Sequence, residues 1–350
     1  YFPAPRSFTG EDVIGMLGHG GMILQQQLLT RVFELGANQA VAGEFSARAF
    51  DNDKLDLVQA EAIADAIDAT SVAAAKSAMR SLTGEFSQKI NALLEQLIQL
   101  RLYVEAAIDF PDEEGVDFLA DEHIAKQLRQ VCEQLNNVLA TAKQGQLLRD
   151  GVSVVIAGRP NAGKSSLLNR LAGQERAIVT DIAGTTRDIL QETIVLNGLT
   201  LNLTDTAGLR QTDDIVEQAG IERARQAITQ ADLLLMVYDA HREHEPLRLA
   251  TELFGSLPNA NSILMIANKI DLSDNHQNLP KQFSSQEQIY HPVYVSCKYG
   301  TGLEELVNQI CDKVGFHPPE NSLIARTRHL DALRRTQMAL QEADEQLHLF

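Results

Sequence analysis

One eight-residue segment constrains the fold of this chain more than any other. Residues 158–165 read G-R-P-N-A-G-K-S, between a short apolar run and a leucine-rich helical pattern. In such a loop, backbone N–H groups surround a phosphate, Lys164 reaches its oxygens, and the N-terminus of the next helix adds positive potential. The Ser165 hydroxyl is a candidate Mg²⁺ ligand. A strand, this loop and a helix in succession predict an α/β nucleotide-binding domain.

A later segment predicts which base the nucleotide carries. Residues 268–271 read N-K-I-D and follow an apolar run. The carboxylate of Asp271 can accept hydrogen bonds from the N1–H and the exocyclic amine of guanine, whereas adenine presents the wrong pattern. Residues 296–298 read S-C-K and are expected to close over the base through backbone amides. The sequence therefore predicts GTP as the ligand.

Two segments between these motifs predict contacts to the γ-phosphate and to Mg²⁺. Residues 205–208, D-T-A-G, end a predicted strand, which places Asp205 to hold the Mg²⁺ shell through water. Residues 180–188, T-D-I-A-G-T-T-R-D, contain threonines, and a threonine hydroxyl in this loop can join Mg²⁺ only when a γ-phosphate is present. This pattern favours a switch loop. The alternative is a polar loop with a turn at Gly184.

The predicted GTP site combines these five segments in the order expected of phosphate-loop proteins. Each short match is weak alone, whereas together, at strand ends, they strongly favour GTP binding. The predicted contacts are Asn161, Ala162, Gly163, Lys164, Ser165, Ser166, Thr180, Asp181, Ile182, Ala183, Gly184, Thr185, Thr186, Asp205, Thr206, Ala207, Gly208, Asn268, Lys269, Ile270, Asp271, Ser296, Cys297 and Lys298.

The residue after the D-T-A-G motif raises the question of how water is activated. Small regulatory GTPases carry a glutamine there that orients the attacking water. This chain carries Leu209, whose side chain cannot form a hydrogen bond. Either the domain hydrolyses GTP poorly, or another group activates the water. Asp213, Asp214 and Glu217 follow, on a loop that leads into a predicted helix at 216–229. Any of the three carboxylates could reach back to the water, although capping of that helix is the better interpretation of the two aspartates.

Apolar patterning predicts how the chain is divided. Helical stripes follow residues 90–108 and 124–142, the pattern changes at Gly145 and Gly151, and a helical stripe resumes at residues 330–347. Between them, β-rich runs predict a mostly parallel sheet with strands at 152–157, 200–204, 233–238, 262–267 and 292–295. The predicted domains are a mixed α+β part at 1–52, a helical domain at 53–150 and 317–350, and an inserted α/β domain at 151–316.

Composition excludes several other classes of protein. The 350 residues carry 30 Lys and Arg against 47 Asp and Glu, a formal net charge of −17, which argues against a broad nucleic-acid-binding surface. No apolar run approaches the length needed to span a bilayer. Three irregularly spaced cysteines predict neither a zinc site nor a disulfide framework and fit a cytoplasmic protein. Because the chain begins with Tyr1, we expect it to be part of a longer protein.

The motifs, together with two further stretches, resemble the MnmE (TrmE) family of tRNA-modification GTPases. The stretches are E-A-A-I-D-F-P-D-E at 105–113 and G-E-F-S-A-R-A-F at 43–50, and they are more specific than the GTPase motifs. The resemblance covers essentially the whole chain. It implies a tetrahydrofolate-binding N-terminal domain that dimerises, using a formyl- or methylene-tetrahydrofolate, a helical domain and an inserted G domain. It also implies that a homodimer acts with the FAD protein MnmG, in a heterotetramer, on the wobble uridine of certain tRNAs.

The resemblance also assigns roles to individual residues. It implies a K⁺ ion that replaces an arginine finger, with hydrolysis that requires paired G domains. It implies two catalytic residues, Glu217 and Lys164. Glu217 would act on the attacking water through a second water. The implied Mg²⁺ ligands are Ser165, Thr186 and, through water, Asp205. The implied K⁺ ligands are Asn161, Thr180, Ile182 and Thr185. The implied folate-site residues are Lys54 and Gly15.

This sequence departs from the family pattern in two places. It lacks the C-terminal Cys-x-Gly-Lys of the family, and related sequences often carry an acidic residue where Gly15 stands. A solvated lysine at a helix start is an equally good interpretation of Lys54. The rival function is a ribosome-assembly GTPase, which would share the G domain and the hydrophobic residue after D-x-x-G. It would need a basic RNA-binding module, which this acidic chain does not display.

Overall fold

The computed structural model describes residues 1–109, 121–173, 191–205, 227–272, 279–285, 287–317 and 322–347. The chain divides into two compact units. One comprises residues 1–69, 75–139 and 331–350, and the other comprises residues 70–74 and 140–330. None of the helices formed by the described residues is both long enough and apolar enough to cross a membrane.

Helices make up most of the chain before the first strand. Within the described residues they are α1 (Met22–Glu34), α2 (Glu44–Asp51), α3 (Leu57–Ile67), α4 (Val72–Leu82), α5 (Glu85–Asp109) and α6 (Asp121–Asp150). The start of α3 is fixed by a capping box, in which Asp56 accepts from the Gln59 amide at 2.8 Å and Gln59 accepts from the Asp56 amide at 2.9 Å. The side chains of α1 are not buried.

The predicted apolar stripes differ in how well they are buried. The stripe of α6 is confirmed along its whole length, since its buried side chains are Ile124, Leu128, Val131, Leu135, Val138 and Ala142. On α5, Leu93 and Leu100 are buried, whereas Leu94 and Ile108 are exposed. The last helix, α10 (Thr327–Leu347), buries Leu330, Leu333 and Leu340. Helical spacing therefore identified these helices, while only packing decides which of two adjacent apolar positions lies inside.

A six-stranded sheet forms the centre of the second unit, in the order β2-β3-β1-β4-β5-β8. Neighbouring strands are parallel, except that β2 is antiparallel to β3. All six residues of β5 are buried, as expected for a parallel strand covered on both faces. The sheet strands are β1 (Val152–Ala157), β2 (Gln191–Leu196), β3 (Leu199–Asp205), β4 (Leu233–Asp239), β5 (Ile263–Asn268) and β8 (Pro292–Tyr294).

Three further α-helices with both ends described and a small hairpin also belong to this unit. The helices are α7 (Lys164–Ala172), α8 (Pro246–Phe254) and α9 (Leu303–Val314), and the hairpin pairs β6 (Phe283–Ser285) with β7 (Gln288–Tyr290). The five predicted strands correspond to β1, β3, β4, β5 and β8. The edge strand β2 was not predicted, although its turn contains an Asn-Gly pair with φ of 50° and 85°, a typical hairpin signal.

Gly145 lies inside helix α6 and does not end it, contrary to what the change of pattern there suggested. The helix continues to Asp150. A Cβ atom at Gly145 would lie 1.7 Å from the carbonyl oxygen of Leu323 and 2.4 Å from its carbonyl carbon. The glycine therefore allows the backbone of residues 323–324 to approach the helix closely, and its role is packing.

We expect Gly145→Ala to destabilise the second unit by about 1–3 kcal/mol, because the helix and the Leu323 carbonyl would have to separate. This loss would exceed the roughly 1 kcal/mol by which alanine is otherwise the better helix former. Thermal and urea unfolding would measure it. Gly20→Ala is the matched control, because a Cβ there meets no atom within 4 Å. An unfolding temperature equal to or above that of the parent would contradict this account of Gly145.

Candidate functional site

The predicted phosphate loop occupies the expected place in the sheet. It follows β1 and leads into α7, at the edge where the parallel strands β1, β4 and β5 end. Gly163 caps α7 with φ of +100°, and a Cβ there would lie 2.1 Å from Nδ2 of Asn268. Only glycine satisfies both the left-handed backbone and this close approach. The loop is therefore held against the end of β5.

Lys164 and the two serines after it form the first turn of α7, directly after the loop. The Lys164 ammonium donates to the carbonyl oxygens of Gly158 at 2.9 Å and Arg159 at 3.1 Å, so it lies over the loop. Ser165 and Ser166 are exposed in the first turn of α7. The arrangement brings an ammonium, two hydroxyls and a helix N-terminus together, which is chemistry suited to an anion.

Asn268 joins the phosphate loop to the segment at 296–298. Its side chain is buried, with 2% of the residue exposed. The Nδ2 group donates to the Ala162 carbonyl at 2.9 Å, and Oδ1 accepts from the Cys297 amide at 3.1 Å. One carboxamide therefore satisfies a backbone acceptor of one loop and a backbone donor of the other, and it fixes the distance between them.

Asp271 is oriented by the same segment. The Ser296 hydroxyl donates to Oδ1 of Asp271 at 2.6 Å and accepts from the Tyr299 amide at 3.3 Å. Among the described residues, no protein group donates to Oδ2 of Asp271. The carboxylate is half-buried, so it is held in place while retaining acceptor capacity for a ligand.

Two residues at this edge were missed by sequence reasoning. Asp239, at the end of β4, accepts from the Lys269 ammonium at 2.8 Å. Burial alone would raise the pKa of Asp239, but hydrogen bonds from Lys269 and the His241 amide outweigh it, and the pKa lies below its usual value. Arg170 of α7 donates to the carbonyls of Cys297 and Lys298. Neither residue belongs to a short motif, so no sequence signal marked them.

The remaining groups around residues 296–298, here called the base segment, have distinct surroundings. The Lys298 ammonium lies 5.0 Å from the centre of the exposed Tyr299 ring. The Cys297 residue is only 6% exposed, and burial raises the pKa of its thiol. In the phosphate loop, the Arg159 guanidinium lies 3.4 Å from Glu243 and 3.1 Å from Glu252. The phosphate loop therefore contains an arginine whose charge is offset by two carboxylates.

Several predicted site residues lie outside the described part of the chain. They are Thr180, Asp181, Ile182, Ala183, Gly184, Thr185, Thr186, Thr206, Ala207, Gly208, Leu209, Asp213, Asp214 and Glu217. The backbone of Asp205 ends β3 opposite Ile156 of β1. Residues 227–230 are helical, at the end of the helix predicted for 216–229. The described residues contain no cluster of three or more histidine, cysteine or acidic side chains arranged to hold a metal ion.

The predicted folate-site residues belong to the first unit. The Lys54 ammonium donates to the Pro5 carbonyl at 2.9 Å, and Gly15 is exposed. Nearby in sequence, Arg48 of the G-E-F-S-A-R-A-F stretch bridges Glu44 at 2.6 Å and Glu11 at 3.1 Å. These contacts tie residues 1–12 to α2 and to the residues just after it, so Lys54 has a structural partner.

Comparison with known proteins identifies the family. A family model described as MnmE helical domain matches residues 57–349, and one described as GTP-binding protein TrmE N-terminus matches residues 1–54. The chain belongs to the MnmE family. The predicted resemblance is thereby confirmed, as is the predicted fold class, a phosphate-loop α/β domain inserted into a helical domain and preceded by part of the family's N-terminal domain.

Curated relatives named tRNA modification GTPase MnmE match this member of the MnmE family along its length. The protein from Psychrobacter arcticus is 71% identical over 100% of this chain and 75% of the relative. The one from Psychrobacter cryohalolentis is 72% identical over 100% and 75%. The one from Acinetobacter baylyi is 60% identical over 100% and 74%.

Proposed function

We propose that this chain is a tRNA-modification GTPase that binds GTP at the carboxyl edge of its sheet. The observation that carries the proposal is the pair of hydrogen bonds made by Asn268. They join Ala162 of the phosphate loop to Cys297 of the base segment. A nucleotide that spans this junction would contact both halves of the site. Membership of the MnmE family, whose curated relatives are named as tRNA-modification GTPases, supports the same function.

The base half of the site suits guanine. Asp271 has acceptor capacity beyond the hydrogen bond from Ser296, and its carboxylate can receive the N1–H and the exocyclic amine. Adenine offers neither donor in this pattern, so it would leave a half-buried carboxylate unsatisfied. Asp271 therefore contributes to discrimination between GTP and ATP.

Asp271→Asn is expected to weaken GTP binding by about two orders of magnitude, because the amide places an NH2 donor against the exocyclic amine of guanine. The same change should favour xanthosine triphosphate, which carries a carbonyl oxygen in place of that amine. Competition against a fluorescent GDP measures both ligands. Asp312→Asn, a change at an exposed aspartate of α9, is the matched control. Unchanged GTP affinity in Asp271→Asn would show that the base lies elsewhere.

The phosphate half suits a nucleotide with Mg²⁺. The Ser165 hydroxyl is exposed and has no protein partner among the described residues, so an oxygen ligand is available in the first turn of α7. We propose that Ser165, Thr186 and, through water, Asp205 hold the ion. Bound Mg²⁺ would offset charge on the β- and γ-phosphates. Lys164 would bind the oxygens between these phosphates and stabilise charge as it develops there.

We propose that K⁺ and a second copy of the G domain complete the catalytic site. Leu209 cannot orient water, so another group must take part. Asn161 is exposed, has φ of +63°, and its carboxamide has no protein partner within the described ranges, so it is free to bind a cation. The proposed K⁺ ligands are Asn161, Thr180, Ile182 and Thr185. Bound K⁺ would supply the positive charge that an arginine finger supplies elsewhere.

GTP hydrolysis should be faster in KCl than in NaCl at matched ionic strength, since Na⁺ is smaller and suits the same ligands poorly. Asn161→Ala is expected to abolish this difference and to leave most nucleotide affinity, because Lys164 and the loop amides remain. Turnover and dimerisation with a transition-state analogue would both be measured. Asn261→Ala, at an exposed loop position, is the control. Equal rates of the parent in the two salts would exclude the K⁺ site.

Glu217 is the proposed base that acts on the attacking water. Removing it should slow the chemical step by about two to three orders of magnitude, the usual contribution of a positioned acid–base group. Single-turnover hydrolysis by Glu217→Ala, at saturating GTP in KCl, would measure the effect. Glu304→Ala, at the exposed start of α9, is the control. A rate within a few-fold of the parent would leave Glu217 as a helix cap and direct the test to Asp213 and Asp214.

Family membership supports a wider role. We propose a homodimer that acts with the FAD protein MnmG on the wobble uridine of tRNA, in the cytoplasm. Co-purification of MnmG with the tagged chain is expected, and co-purification of ribosomal particles in its place would contradict this role.

Lys54 can attract a carboxylate of a tetrahydrofolate derivative, whereas Gly15 has no side chain to bind a pterin, so the residues fit this cofactor only in part.

A further inference from the structure

Arg170 connects the two halves of the nucleotide site. It lies on α7, the helix that begins with Lys164 in the phosphate loop. Its Nε donates to the carbonyl oxygen of Cys297 at 2.9 Å, and its Nη2 donates to the carbonyl oxygen of Lys298 at 2.6 Å. One planar guanidinium therefore grips two consecutive carbonyls of the base segment, a geometry that lysine cannot reproduce.

Each carbonyl that Arg170 binds shares its peptide group with an N–H on the base side of the proposed site. The carbonyl of Cys297 shares its peptide plane with the N–H of Lys298. No acceptor for that N–H occurs among the described residues. Because the peptide group is planar, fixing its oxygen fixes the direction of its N–H. A hydrogen bond from a charged donor to the oxygen also polarises the group and makes its N–H a stronger donor.

The second carbonyl is connected to Asp271 through its own peptide group. The carbonyl of Lys298 shares its plane with the N–H of Tyr299, which donates to the Ser296 hydroxyl. That hydroxyl donates in turn to Asp271. The guanidinium thus holds both a backbone N–H without a protein acceptor and the hydrogen-bonded chain that orients the carboxylate. Both are groups that would read the edge of a guanine.

We propose that Arg170 is a positioning residue for base recognition, which sets the specificity for guanine by holding the Cys297 and Lys298 peptide groups. The N–H of Lys298 would donate to O6 of the base, and adenine carries an amine donor at that position. This inference rests on the proposed GTP function and adds to it a residue outside the short motifs. Arg170 is exposed, so its replacement should leave the fold intact.

The test separates base recognition from phosphate binding. Affinities for GDP, IDP, ADP and inorganic pyrophosphate would be measured by calorimetry and competition on the 350-residue chain, as parent, Arg170→Ala and Arg170→Lys. IDP keeps O6 and N1–H and lacks the exocyclic amine, so it tests recognition of O6 and N1–H without the contact to the amine. Arg334→Ala, which removes an exposed arginine paired with Asp331 one turn away, is the matched control.

Arg170→Ala should weaken GDP and IDP by about tenfold each, roughly the effect of one lost charge-assisted hydrogen bond. Pyrophosphate and ADP should stay within twofold of the parent, and Arg170→Lys should fall between. If GDP, IDP and pyrophosphate weaken alike, Arg170 only supports the fold, and the proposal is overturned. If the parent binds GDP more tightly than ADP and Arg170→Ala keeps the same preference, the role of Arg170 is overturned and the GTP function stands. If the parent itself does not prefer GDP to ADP, the proposed GTP function is overturned as well.

Discussion

The proposed nucleotide site depends on one buried carboxamide. Asn268 ends β5, and its two polar atoms bind the backbone of the phosphate loop and of the base segment. Both loops follow strands of one parallel sheet, so strand register brings them near each other. The amide then fixes their separation within hydrogen-bond length. Loss of either partner would leave a buried polar group unsatisfied, which is costly, and this ties the geometry of the site to the stability of the sheet.

Much of this arrangement could be predicted from the sequence because parallel strands leave strong local signals. The buried strands β1, β4 and β5 read as continuous apolar runs, and motifs at their ends must meet at one edge. The helical stripe of α6 was equally legible, since its periodicity matches burial at each step. The edge strand β2 was missed because it mixes polar and apolar residues, although its Asn-Gly turn was a usable signal.

What the sequence could not provide are contacts between distant segments. Arg170 and Cys297 are 127 positions apart, and Asp239 and Lys269 are 30 apart. Arg170 and Asp239 do not belong to short sequence motifs, so only the folded structure reveals their partners. Gly145 also depends on a contact with a distant segment. In the sequence, a glycine in a helical pattern suggests the end of a helix, and only the structure shows that it makes room for the Leu323 carbonyl.

The burial of Cys297 has a consequence for the chemistry that the site can tolerate. The residue contributes its backbone to the segment beside the proposed base, while its thiol is enclosed. Burial raises the pKa of the thiol, so little of the reactive thiolate forms near neutral pH. Oxidants and alkylating agents attack thiolates, and they also need access. A cysteine placed this way acts as a small apolar filler, so the segment carries a redox-active residue type without exposing a reactive thiolate beside the proposed GTP site.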